Sequence, residues 1–331
     1  MNPSDLNPLA HRFCTAPLMD WSDRHCRYLW RLISQKARLY TEMVTTGALI
    51  HGDQERFLHF HPSEHPIALQ VGGSDPQALA ASARLAAEWG YDEINLNCGC
   101  PSDRVQNGLI GACLMAHPHK VADGIKAMQD AADIAVTIKH RIGIDDMDDY
   151  KGLHHFVDTV AATGCHTFIV HARKAWLQGL SPKQNREIPP LCYDFVYRLK
   201  QEMPHLRIVI NGGITTLNEC EQHLEQVDGV MIGREAYSNP YFLSEVDKTL
   251  FKVDTTEYQT RKDICLKYIE YCRMEMERQS RTRLHHMTKH VLGLFHGQKG
   301  GRAFRRHISE NVSKPNASIT VLEDALNKII D

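Results

Sequence analysis

RIVINGGI, Arg207–Ile214, is the stretch whose reading decides the fold. Arg207–Asn211 is a short β-rich run that closes on an asparagine and then two glycines. A strand buried on both faces reads as apolar along its length, so a polar residue at its C-terminal end is costly unless it is used. The same design recurs at GVMIGREA, Gly229–Ala236. It recurs upstream as well, giving candidate strands at Phe13–Pro17, Leu39–Met43, Ile67–Val71, Glu93–Asn97, Ala135–His140, Thr167–His171, Arg207–Asn211 and Gly229–Ile232. Helical patterns such as Pro76–Trp89 and Lys120–Ala131 lie between them, the first with Asp75 as N-cap and Pro76 at the first helical position. Eight strands alternating with helices imply a parallel sheet, open or closed. Pro17, Met43 with Glu42, Gln70, Asn97, Lys139, His171, Asn211 and Gly233 all sit at C-terminal strand ends. A barrel gathers its ligand site at that face from every strand, whereas an open doubly wound sheet concentrates chemistry at one switch point. No G-x-G-x-x-G follows the first strand. The expected fold is therefore α/β, a (β/α)8 TIM barrel over residues 1–247.

The chain has 331 residues, enough for a barrel of about 250 and an added module. From Lys248 the strand signals stop. Thr255–Gln279, Leu284–Phe295, Arg302–Ser309 and Ile319–Ile330 read as helices, so residues 248–331 are expected to form an all-helical domain. Net charge is −2 overall, yet Lys248–Asp331 carries 16 basic and 10 acidic residues. Between Arg278 and Arg306 there are 8 Lys and Arg, 4 His and no acid. A solvated helix face mixes signs, so this stretch points to an anionic partner, such as a nucleic acid or phosphate.

No apolar run reaches the ~18 residues that span a bilayer, and the polar start Met1–Asp5 lacks a signal-peptide pattern. A cytoplasmic protein with no membrane partner, no obligate protein partner and reduced cysteines is expected. Its 10 cysteines include no C-x-x-C pair, so no metal site is expected.

Chemistry-bearing residues follow the strands. Asn211-Gly212-Gly213 and Gly233-Arg234 close the last two, where this fold commonly binds phosphate: glycine admits close N–H approach and arginine adds charge-assisted bonds. Lys139 ends a strand read as otherwise apolar and suits the electron-rich N1/C2 edge of a reduced flavin, or a salt bridge. His171 could bind phosphate, donate to a ring or be structural. Gln70 could read a pyrimidine edge or cap its strand. In Asn97-Cys98-Gly99-Cys100-Pro101 a thiol is mostly protonated at neutral pH and available as a general acid, or as a nucleophile where a base activates it, the alternative for Cys98 being an inert buried cysteine. Residue chemistry alone does not choose between Cys98 and Cys100. The segment that follows, to about Ala112, reads as a mobile loop over the barrel mouth.

At these residues the sequence resembles the tRNA-dihydrouridine synthases. The matching motifs are APLMDW (Ala16–Trp21), LQVGG (Leu69–Gly73), NCGCPSDR (Asn97–Arg104), Lys139, HARKA (His171–Ala175), NGGI (Asn211–Ile214) and GREA (Gly233–Ala236). SDRHCR (Ser22–Arg27), TEMVTTGA (Thr41–Ala48) and GLSPKQNREIPP (Gly179–Pro190) resemble the A-type subfamily. One departure is Leu18-Met19, where the family usually reads Met then Leu. The resemblance implies an FMN-bound barrel, a helical tRNA-binding domain, NADPH as reductant, and uridines 20 and 20a of the D-loop as substrate. It implies FMN contacts at Pro17, Leu18, Met19, Gln70, Lys139, His171, Asn211, Gly212, Gly213, Gly233 and Arg234. It implies Cys100 as catalytic acid and tRNA contacts at Asn97, Lys183, Arg186, Lys299 and Arg302. The rivals are a dihydroorotate-dehydrogenase-like flavoprotein acting on a free pyrimidine and a non-enzymatic RNA-binding barrel.

Overall fold

The computed structural model describes residues 7–102, 108–147, 149–253, 259–278 and 282–330. They form two compact units, one within residues 7–19 and 38–232 and one within residues 20–37 and 233–330.

The first unit holds eight strands: β1 Phe13–Thr15, β2 Leu39–Thr45, β3 Ile67–Gly72, β4 Glu93–Cys98, β5 Ala135–Arg141, β6 Thr167–His171, β7 Arg207–Asn211 and β8 Gly229–Ile232. All pair in parallel, in the order β1-β8-β7-β6-β5-β4-β3-β2. The seam between β1 and β2 is bridged by Cys14 and Arg38. There the Thr15 N–H donates to the Arg38 carbonyl at 2.9 Å, and the Arg38 N–H donates to the Phe13 carbonyl at 3.0 Å. This is the (β/α)8 barrel that the strand ends implied. Alternate residues pack an interior layer of Tyr40, Ala68, Ile169, Val209 and Met231, with Leu18 against it.

The strands' outer faces are covered by helices. Pro76–Glu88 starts at Asp75, whose carboxylate accepts the Ala78 N–H, and buries Leu79, Ala83 and Ala86. Pro118–Ala131 buries Val121, Ile125 and Met128. The larger of these side chains, Leu79, Val121, Ile125 and Met128, contribute about 2 kcal/mol each by leaving water. Gly124 lets these two helices close up, since a Cβ there would lie 2.7 Å from Leu79.

The second unit is helical: Arg24–Ile33, Arg234–Ser238, Val246–Phe251, Arg261–Arg278, Leu284–Thr288, Gly301–Asn311 and Thr320–Leu326. Its core includes Leu29, Tyr268, Met287, Phe295, Phe304 and Leu322. The expected helix Thr255–Gln279 is observed from Arg261, with residues 255–258 and 279 outside the described residues. The expected helix Leu284–Phe295 stops at Thr288 and continues as three-residue turns. Within these turns Gly293 comes so close to the Ser238 carbonyl that a Cβ there would lie 2.2 Å from it. Among the described residues no helix is long and apolar enough to cross a membrane.

Candidate active site

The barrel register aligns the polar strand ends. Asn97 pairs with Lys139, Arg141 with His171, and His171 with Asn211. Lys139 Nζ donates to Asn211 Oδ1 at 3.2 Å across the intervening strand. Asn97 Nδ2 donates to Gln70 Oε1 at 2.8 Å. Pro17 and Leu18 follow β1 half-buried, and Met19 is exposed. Gly233 and Arg234 follow β8 in the chain and open the second unit, at the helix Arg234–Ser238.

Asn211 leads into two glycines that hold φ of 122° and 75°. A Cβ on Gly212 would sit 2.8 Å from the His171 ring, and one on Gly213 would sit 2.6 Å from Leu191. Tyr193 fastens the turn by donating its hydroxyl to the Gly212 carbonyl at 2.7 Å. Only glycine fits this close approach at a positive φ.

The rim is cationic. Desolvation, then the neighbouring Arg141, push Lys139 down to about 7. The alternative salt bridge is not observed among the described residues, where Lys139 instead bonds to a neutral amide. Burial holds His171 well below its ordinary value, and the charges acting on it, Arg141, Lys139, Arg173 and Arg186, are all positive. It is a neutral imidazole in a field that favours an anion.

The strand carrying Lys139 is less apolar than its reading: it runs on to Arg141, and Thr137, His140 and Arg141 are buried. Arg141 Nε donates to the Gly99 carbonyl at 2.8 Å, and its Nη1 donates to the carbonyls of Lys174 and Asn185 at 2.9 and 3.1 Å. It thereby ties the turn after β4 to the segment after β6. In that segment Asn185 is buried, with its amide bonded to the Trp176 backbone in both directions. Lys183 and Arg186 beside it are exposed. Lys299 and Arg302, in the second unit, are exposed as well.

The two cysteines part company. Cys98 is fully buried, and desolvation, with Cys113 and Cys165 beside it, pushes its thiol far up. Cys100 is partly exposed. Asn97 Oδ1 accepts the N–H of Gly99 at 3.1 Å and of Cys100 at 3.0 Å. On its other side the Cys100 carbonyl accepts the Ala112 N–H at 2.8 Å. A Cβ on Gly111 would meet that carbonyl at 2.4 Å. The two ends of the expected lid are thus pinned, while its residues 103–107 lie outside the described residues.

Gln70 neither caps its strand nor stands free. Its Nε2 donates to Asn95 Oδ1 at 2.8 Å while its Oε1 accepts from Asn97. One hydrogen and one lone pair remain for a ligand edge. The sequence reading missed Arg141, Thr137, Asn95 and Glu93. The signal was present in the EINLN spacing along β4: Glu93, Asn95 and Asn97 alternate and so share the interior face.

These donors suit FMN. A desolvated amine bonded to a neutral amide matches the electron-rich edge of its ring, and the positive field at neutral His171, beside the glycine turn, favours a phosphate.

The chain matches the family model described as dihydrouridine synthase (Dus) over residues 14–330. It is 55% identical over 323 residues to the tRNA-dihydrouridine(20/20a) synthase of Salmonella typhimurium, covering 97% of this chain and 96% of the relative. It is 56% identical over 319 residues to the protein of the same name from Vibrio cholerae, covering 96% of each. The protein of that name from Escherichia coli K12 is 55% identical over 321 residues, covering 97% of this chain and 92% of the relative.

Proposed function

The chain belongs to the dihydrouridine synthase family, and from that premise we propose that it is a tRNA-dihydrouridine synthase reducing uridine at D-loop positions 20 and 20a, with FMN as cofactor and NADPH as reductant. The observation that carries this reading is the near-full-length identity to relatives whose names specify those positions.

FMN would be held by Pro17, Leu18, Met19, Gln70, Lys139, His171, Asn211, Gly212, Gly213, Gly233 and Arg234. Gly212 and Gly213, with Gly233 and Arg234, would take the phosphate. Lys139 would lie at the N1/C2 edge and Gln70 at the pyrimidine edge. When bound, FMN supplies the hydride, from N5 to uracil C6. The target uridine has to leave its stack to be reached. Asn97 would hold the uracil edge through the second Nδ2 hydrogen, and Arg186 lies on the adjoining segment. Negative charge then develops toward C5 and O4, and Cys100 Sγ delivers a proton to C5. The C5=C6 bond thus gains one hydride and one proton, and the resulting thiolate is reprotonated from solvent. Lys183, Arg186, Lys299 and Arg302 would contact the tRNA. We assign catalysis to residues 1–247, tRNA binding to residues 248–331, and the protein to the cytoplasm with its substrate.

The test is an assay of purified, FMN-reconstituted protein with NADPH and an unmodified tRNA transcript. Dihydrouridine at positions 20 and 20a is expected. Reduction of free uracil or orotate with the tRNA left untouched would assign the barrel to free pyrimidines instead.

A further inference from the structure

A single file of buried hydrogen bonds runs up the inside of the barrel, from the N-terminal end of β4 to the turn that carries Cys100. Glu93 Oε1 accepts the Thr137 hydroxyl at 2.5 Å. Thr137 Oγ1 accepts Asn95 Nδ2 at 2.7 Å. Asn95 Oδ1 accepts Gln70 Nε2 at 2.8 Å, and Gln70 Oε1 accepts Asn97 Nδ2 at 2.8 Å. Asn97 Oδ1 accepts the N–H groups of Gly99 and Cys100. Glu93 and Asn95 are wholly inaccessible, and Thr137 and Gln70 are 2% and 1% exposed.

The file has one polarity, and both ends impose it. A backbone N–H only donates, so Asn97 has to turn its carbonyl to Cys100 and its amide to Gln70. An ionised carboxylate only accepts, so Thr137 has to donate downward and accept from Asn95. Glu93 is held as that acceptor by Arg38 Nη1 at 3.2 Å, His11 Nε2 at 2.7 Å and the Tyr40 hydroxyl at 2.6 Å. Reversing any one amide would set like groups against each other and leave two buried polar atoms unpaired, which costs far more than a bond gains. Gln70 and Asn97, the two amides that the proposed reaction uses, are therefore not free to rotate.

We propose that Glu93 and Thr137 are positioning residues: acting through Asn95 and Gln70, they set the orientation of the Asn97 carboxamide and with it the place of Cys100. This rests on the synthase reading for its catalytic consequence, though the geometry of the file does not.

Thr137→Val breaks the file with little change of volume, and Thr137→Ser keeps the hydroxyl. Two readouts are taken: the rate of Cys100 alkylation by iodoacetamide in FMN-free protein, by mass spectrometry with Cys192 as internal reference, and kcat and KM for tRNA. Thr137→Val is expected to change the relative alkylation rate by about threefold or more. A misplaced reacting group costs up to about a hundredfold, so kcat should fall by about tenfold or more, with KM little changed. Thr137→Ser should match wild type in both. Thr137→Ala carries the same comparison should the valine variant not fold. A Thr137→Val protein that melts earlier yet keeps wild-type alkylation and kcat would make the file merely structural and overturn the proposal. Wild-type protein without synthase activity would refute the functional reading, and the alkylation comparison would still decide the file.

Discussion

The backbone N–H of Cys100 donates to the side-chain carbonyl of Asn97 at 3.0 Å. This bond holds the thiol in place without using Sγ, which stays free to act as an acid. Cys100→Ala should then leave FMN content and tRNA affinity near wild type. Loss of a general acid costs about a hundredfold to ten-thousandfold in rate, and single-turnover reduction should slow by that much. Wild-type-like single turnovers in this variant would remove Cys100 from the mechanism.

Lys139 is pushed down to about 7 by desolvation. In FMN-free protein it should therefore be largely neutral at pH 8 and charged at pH 6. An anionic ligand stabilises the charged form, so FMN binding above pH 7 should take up a proton, and affinity should fall as pH rises from there. NMR of 13C-labelled lysine should show one resonance titrating near 7 that Lys139→Met removes. A Lys139 signal titrating at an ordinary lysine value would contradict this.

The glycine turn makes a steric prediction. Gly213→Ala would place a Cβ 2.6 Å from Leu191 at a φ of 75°. Strain of this kind costs about 1–3 kcal/mol. FMN should bind about tenfold or more weakly, measured by flavin fluorescence titration, with the barrel's circular dichroism unchanged.

Stability should fall in mild acid. His140 is buried, donates Nδ1–H to the Arg141 carbonyl at 2.7 Å and packs on Phe156 and Phe168. Burial lowers it from 6.5 to about 4. The unfolded chain takes up that proton first, so the contribution is full above pH 6.5 and is lost as pH falls toward 4, by about 3 kcal/mol. His140→Phe should flatten the fall in Tm across that window. An unchanged slope would argue against it.

The basic helix Gly301–Asn311 predicts the salt dependence of tRNA binding. Arg302 is exposed, whereas Arg306 pairs with Glu310 at 3.2 Å. Arg302→Ala should reduce the slope of log K against log salt by about one. Arg306→Ala should change it less. Salt-independent binding would take this helix out of the interface.

The barrel was legible because its strands carry the cost of function at one end. β6, β7 and β8 lie where the apolar runs placed them, and Asn211, His171 and Lys139 mark the rim. Of the inner file only the shared face of Glu93, Asn95 and Asn97 was legible, because its bonds to Gln70 and Thr137 cross to neighbouring strands and no local pattern encodes them. The helix Arg24–Ile33 grouped with the C-terminal helices was hidden as well. That grouping depends on long-range packing of Leu29, which no local pattern encodes. The close approach of Gly293 to the Ser238 carbonyl was hidden in the same way, since a local helical pattern carries no record of it.

Dihydrouridine mapping at positions 20 and 20a tests the central claim most directly, in tRNA from cells lacking this gene and complemented with wild type or Cys100→Ala. The account predicts loss of both modifications, restoration by wild type and none by the variant. Unaltered dihydrouridine at both positions in the deleted strain would contradict it.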